Sequence, residues 1–140
     1  MFLSSEQIKK AVKQSRLGIQ PFSEKNLKPV SYTFTLGDIL KNPNTGREIR
    51  IPEKGYKLPP GEFIIGQTTE HVKLYGNYIC FLSTRSSLAQ QGIDVLQSST
   101  VAEPDTDGHL TVEITNHGPK KIILNRGMRI VKGIFSQVQT

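Results

Sequence analysis

An arginine followed by two serines, with two glutamates further on, makes Arg85 to Asn116 (RSSLAQQGIDVLQSSTVAEPDTDGHLTVEITN) the part of this chain best equipped for chemistry. Arg85 beside Ser86 and Ser87 offers a forked cation and short hydroxyl donors, a combination suited to phosphate oxygens. An RSS alone is also a common solvated turn, so its neighbours must carry the argument. Glu113 lies in Leu110 to Asn116, where Leu110, Val112 and Ile114 alternate with Thr111, Glu113 and Thr115 as in a half-buried strand. A carboxylate on that polar face either meets solvent or lines a cleft, where it can move protons as general base and acid. The chain has one cysteine, Cys80, and three histidines, His71, His109 and His117, too scattered to assemble a zinc site within one subunit. No protein metal ligands are expected.

The elements that must position these residues are short. Ser5 to Ser15 predicts an amphipathic helix, with Ser4 and Gln7 as a capping box and Ile8, Ala11 and Val12 on one face. Ser31 to Gly37 alternates as a strand. Asn-Pro, Thr-Gly and Lys-Gly pairs between Lys41 and Lys57 surround Glu48-Ile49-Arg50-Ile51 as a hairpin. Pro59-Pro60-Gly61 turns into a strand running towards His71, which is expected at the surface or a strand end. Tyr78 to Ser83 predicts an apolar strand that delivers Arg85, with Cys80 in the core. Strands at such intervals, with one short N-terminal helix, predict a mainly β fold: a jelly-roll-like β-barrel or sandwich in one domain, residues 1–140.

Composition sets the outer bounds. At 140 residues, 36% hydrophobic and 21% charged, the chain suits a single domain with a core of its own. The start has no cationic region followed by an apolar run, and no stretch is long enough to span a membrane. With a single cysteine this predicts a cytoplasmic protein. The net charge of +6 gathers partly at Lys9, Lys10, Lys13 and Arg16 and at Lys120 and Lys121. Neither a nucleic-acid motif nor an aromatic stacking cluster accompanies it, so nucleic acid is not the expected partner, and free triphosphates are anions too.

Taken together, the motifs resemble the active-site core of the dCTP deaminase and dUTPase superfamily. The likeness rests on Arg85-Ser86-Ser87-Leu88-Ala89, Glu103-Pro104, Gly108-His109-Leu110-Thr111-Val112-Glu113 and Gly127-Met128-Arg129-Ile130. Against the deaminase branch, Arg85 to Glu113 runs without a gap. Arg16 to Phe22, Ser31 to Gly37 and Leu58 to Phe63 extend the likeness over nearly the whole chain, with Thr33 in place of an aspartate in the family's S-Y-D-x-x-L-G. The resemblance implies a fold of the dUTPase type, three subunits around a threefold axis, and sites built between neighbours.

It also implies roles. Glu113 would be the catalytic proton carrier, in a zinc-independent deamination of dCTP to dUTP that uses a water held by protein groups. Arg85, Ser86 and Ser87 would hold phosphates or that water, and Glu103 would contact the deoxyribose. Gln97, Ser98, Ser99, Thr100 and Ala102 fall on the family's base-reading hairpin, where backbone groups would read the cytosine edge. Mg²⁺ would arrive with the triphosphate, waters completing its octahedron.

Four departures keep other readings open. Gln90 stands where the deaminases carry a second arginine, Glu103 replaces an aspartate, Lys132 replaces a glutamine, and the chain stops at Thr140, where deaminases continue into a tail over the triphosphate. Gln90 and the short end lean towards hydrolysis of dUTP to dUMP and pyrophosphate, with Glu103 activating the water. A non-catalytic nucleotide-binding protein that kept the fold is the third reading.

Overall fold

A computed structural model describes residues 1–139. Its elements run α1 (Ser5–Lys13), β1 (Gly18–Gln20), β2 (Leu27–Lys28), β3 (Ser31–Lys41), β4 (Glu48–Arg50), β5 (Tyr56–Leu58) and β6 (Phe63–Lys73). They continue with β7 (Tyr78–Thr84), α2 (Ser86–Ala89), β8 (Ile93–Asp94), β9 (Val101–Ala102), β10 (Asp107–Asn116), β11 (Ile122–Leu124) and β12 (Arg129–Gln137).

The helix forms where capping predicts it. The Ser4 hydroxyl accepts from the Gln7 N–H at 3.3 Å while the Gln7 side chain accepts from the Ser4 N–H at 3.0 Å. Ile8 and Ala11 are buried, but the helix stops two residues before the expected Ser15, which turns the chain at φ 57°.

The main sheet has the order β8-β10-β6-β3-β12-β7-β9, and it is curled rather than flat. The long strand β3 makes the corner. Its first half pairs with β12, Thr33 opposite Lys132, and its second half with β6, Leu36 opposite Thr68. Register shifts on both sides, at Arg129/Val131 and Leu36/Leu40, let the strand bend between the two halves. Across the turn at Asn42 to Gly46, β4 pairs back onto β3 as the predicted hairpin.

Inside the curl lies one core, with Tyr32, Phe34 and Phe135 in edge-to-face contact and Leu36, Val112 and Ile114 fully covered. Cys80 belongs to it, and burial pushes its thiol far above the usual range. The start of β3 departs from simple alternation. Ser31 and Thr33 are 3% and 4% exposed, and on the opposite face Phe22 stacks on Tyr32 with ring centres 5.3 Å apart, so both faces of this end of β3 are covered. Among the described residues no helix is long and apolar enough to cross a membrane.

One buried amide fixes the end of β10. The Asn116 side chain donates to the carbonyls of Leu58 and Lys120, each at 2.9 Å, and accepts from the Gly118 N–H at 2.9 Å. Gly118 presses on the segment after α2 so closely that a Cβ would lie 2.1 Å from the Gln91 carbonyl oxygen. Asn116→Ala removes three bonds to backbone groups at once, two of them buried, so it is expected to destabilise the fold by about 2–4 kcal/mol in urea unfolding. A shift within error would show that water replaces the amide.

Candidate active site

Strand β7 ends at Thr84, and the Arg85 N–H donates to the Ile130 carbonyl at 2.9 Å, which hands the chain from the sheet to the single turn of α2. Leu88 is buried and anchors that turn, while Arg85, Ser86, Ser87 and Gln90 are exposed. Gln90 forms part of the wall of a cavity of about 520 Å³, together with Gly92, Ile93, His117, Lys120 and Ile122.

From β8 the chain loops out and returns along β7 as β9. Thr84 Oγ1 accepts from the Val95 N–H at 3.3 Å, and the Thr100 carbonyl accepts from the Leu82 N–H at 2.7 Å. The loop is therefore held to the strand that leads into Arg85. On its other side, the Glu113 N–H donates to the Val95 carbonyl at 2.9 Å. Glu113 is half-buried on the polar face of β10, between the exposed Thr111 and the half-buried Thr115, while Leu110, Val112 and Ile114 are buried as the alternation predicts. Arg85, Ser86 and Ser87, the loop of Gln97 to Thr100, and Glu113 are thus gathered around one end of the sheet. No ion pair engages Arg85 or Glu113 among the described residues.

Ala102 and Glu103 are placed elsewhere. Ala102 is buried and pairs with Cys80, near the start of β7, so the run from Cys80 to Arg85 separates it from the arginine by roughly 15 Å at about 3.3 Å per strand residue. Glu103 opens a turn in which its carbonyl accepts from the Thr106 N–H at 2.9 Å, just before β10 begins. Glu113 lies further on inside β10, roughly 20 Å along the strand from Asp107 by the same rise.

Several polar groups with defined partners were not singled out by motif. Asp94 Oδ1 accepts from the N–H groups of Leu96 at 2.9 Å and Gln97 at 3.0 Å, and the Gln97 amide reaches across to β10. Glu70 is a carboxylate only 2% exposed, its oxygens accepting from the Thr35 N–H at 2.9 Å and the Thr35 hydroxyl at 2.8 Å. The signal was present, since alternation along β6 places Ile64, Thr68, Glu70 and Val72 on the buried side. His71 is exposed, as expected for a strand-end histidine, and contacts Asp107 at 2.6 Å; that hydrogen bond holds the Asp107 carboxyl below its usual range.

Burial raises the Glu70 carboxyl above its ordinary 4.5, against the lowering effect of the Thr35 hydrogen bonds and His109. The folded protein therefore holds this proton more tightly than the unfolded chain. Stability from this group is present at low pH and is lost as pH rises from about 4.5 through the folded value. Glu70→Gln keeps the shape and removes the titration, so its urea midpoint relative to the parent should climb as pH rises from about 4 to about 8. A difference independent of pH would assign no such role to Glu70.

A family model described as dCTP deaminase-like matches residues 2–138. A protein named "dCTP deaminase, dUMP-forming" from Methanosphaera stadtmanae is 32% identical over 152 aligned positions, covering 95% of this chain and 77% of the relative. The crystal structure of 2′-deoxycytidine 5′-triphosphate deaminase from Agrobacterium tumefaciens superposes with a TM-score of 0.80 at 18% identity, over 99% of this chain and 48% of that one. A dUTPase from Streptococcus mutans gives a TM-score of 0.60 at 16% identity, covering 88% of this chain and 97% of that one. This chain belongs to the dCTP deaminase-like family and has the curled, mainly β fold that its members share with dUTPases.

Proposed function

We propose that the protein deaminates dCTP to dUTP and ammonia, with Glu113 as the proton carrier. The observation that carries this reading is an acidic residue, with no ion pair among the described residues, on the polar face of β10 and bonded through its own N–H to the loop beside Arg85-Ser86-Ser87. The Glu113 carboxylate takes a proton from a water as the oxygen attacks C4 of the cytosine ring. It returns protons to the ring and the departing nitrogen, so dCTP and water become dUTP and ammonia with no redox change. Arg85, Ser86 and Ser87 supply a forked cation and hydroxyl donors to phosphate oxygens or to the water, and backbone groups of Ser98 to Thr100 read the base edge.

Among the described residues no three His, Cys, Asp or Glu side chains converge as a metal cage. Mg²⁺ fits best as an ion carried in on the triphosphate, neutralising charge there with water as its remaining ligands.

The resemblance to the superfamily supports an assembly in which neighbouring subunits build each site. The chain is then a homotrimer, near three times 15.6 kDa by light scattering.

A second reading has an observation of its own. The Methanosphaera relative is named as dUMP-forming, and Glu103, which is exposed, would activate a second water at the α-phosphate. That step would turn dUTP and water into dUMP and pyrophosphate. Chromatography after incubation with Mg²⁺ and each of dCTP and dUTP separates the outcomes: dUTP from dCTP supports deamination, dUMP from dUTP supports hydrolysis, dUMP from dCTP supports both steps, and neither product with nucleotide retained supports a binding protein.

A further inference from the structure

Gln97 holds a backbone conformation that its type does not favour. Its φ of 53° lies in the left-handed region, which crowds any residue bearing a Cβ and is taken more readily by glycine or asparagine. What the glutamine supplies is reach. Asp94 Oδ1 turns the chain by accepting from the Leu96 and Gln97 N–H groups, and the Gln97 Nε2 then donates to the Glu113 carbonyl at 3.2 Å and to Thr115 Oγ1 at 2.7 Å. An amide nitrogen has two hydrogens, and both are used.

The Glu113 N–H meanwhile donates to the Val95 carbonyl at 2.9 Å. The peptide groups on either side of the Glu113 Cα are therefore tied to the same loop, one through Val95 and the other through Gln97. Those two groups set the direction of the Cα–Cβ bond.

We propose that Gln97 is a positioning residue for Glu113: its amide fixes the direction in which the carboxylate leaves β10 and links that direction to the conformation of the Asp94-to-Thr100 loop. The proposal rests on the reading of Glu113 as proton carrier and deepens it. A loop that closes on a base would carry its movement to the carboxylate through this one side chain, and displacement of a reacting group by about 1 Å can cost as much as 10²-fold in rate. The amide acts here through Glu113, with its donors unavailable to substrate.

Three variants test it. Gln97→Gly relieves the left-handed backbone and removes the amide; Thr115→Val removes one of its acceptors; Thr115→Ser keeps the hydroxyl. On dCTP, Gln97→Gly is expected to lower kcat by about tenfold with KM within about twofold, since positioning acts on the chemical step. Thr115→Val should lose part of that rate and Thr115→Ser recover it. A raised KM with unchanged kcat would make Gln97 a substrate contact and overturn the proposal, as would parental kinetics in all three.

If the parent protein releases no product from dCTP, the proposed reaction has failed separately. The tie is then read from the carboxyl ¹³C resonance of Glu113 in labelled protein. It should shift or broaden in Gln97→Gly and stay in place in Thr115→Ser, and an unmoved resonance in Gln97→Gly overturns the positioning role.

Discussion

Glu113→Gln is expected to lower the rate of dCTP deamination by at least about 10²-fold while dCTP still binds. The amide matches the carboxylate in shape and can still accept and donate hydrogen bonds, but it cannot take a proton from water. Backbone geometry should survive the change, because the ties to Val95 and Gln97 use the main-chain N–H and carbonyl of residue 113. Affinity should survive as well, since the groups suited to phosphate are Arg85, Ser86 and Ser87 on α2 and its leading edge. Steady-state kinetics with a separate nucleotide-binding titration check both halves. Turnover near the parental rate would remove Glu113 from the chemistry. Loss of binding together with rate would make it a ligand contact instead.

Mixed assemblies of two inactive variants are expected to regain activity. In the proposed trimer each site is built between neighbours, and Glu103, in the turn before β10, and Glu113, inside β10, are the two carboxylates assigned to it. If each site takes Glu103 from one subunit and Glu113 from its neighbour, Glu103→Ala and Glu113→Gln each damage every site in a uniform assembly. After unfolding and refolding in equal mixture, a subunit bearing Glu113→Gln can present an intact Glu103 to a neighbour whose Glu113 is intact. Random assortment leaves about a quarter of the sites whole, so the mixture should reach about a quarter of the parental rate when both parents are at least about tenfold down. A mixture that merely averages the two parents would mean that each subunit works alone.

The parts of the site read from sequence are those set by local periodicity and spacing. Alternation from Leu110 to Thr115 placed Glu113 on the polar face of a strand, and the structure has it there, half-buried beside Thr115. The reciprocal Ser4 and Gln7 bonds and the hairpin before Glu48 follow from capping and turn chemistry that act within a few residues. Long-range pairing was less accessible. Alternation from Ser31 to Gly37 marks a strand but not that both of its faces are covered, as the burial of Ser31 and Thr33 together with Tyr32 and Phe34 requires.

A motif reading also places Glu103 and Glu113 in one active site without saying which chain each comes from. The register of β9 on β7 and the bounds of β10 place Glu103 in the turn before β10 and Glu113 inside it. The tie from Gln97 to β10 escaped sequence reasoning for a different reason. It depends on a left-handed backbone that glutamine rarely adopts, stabilised by the Asp94 turn, and no propensity announces it.

Ammonia release tests the central claim most directly. Pure protein with Mg²⁺ and dCTP, assayed for free ammonia alongside the Glu113→Gln variant, should yield one ammonia per dCTP consumed, and the variant should release it at least about 10²-fold more slowly. Consumption of no dCTP, or equal ammonia release from parent and variant, would contradict the account.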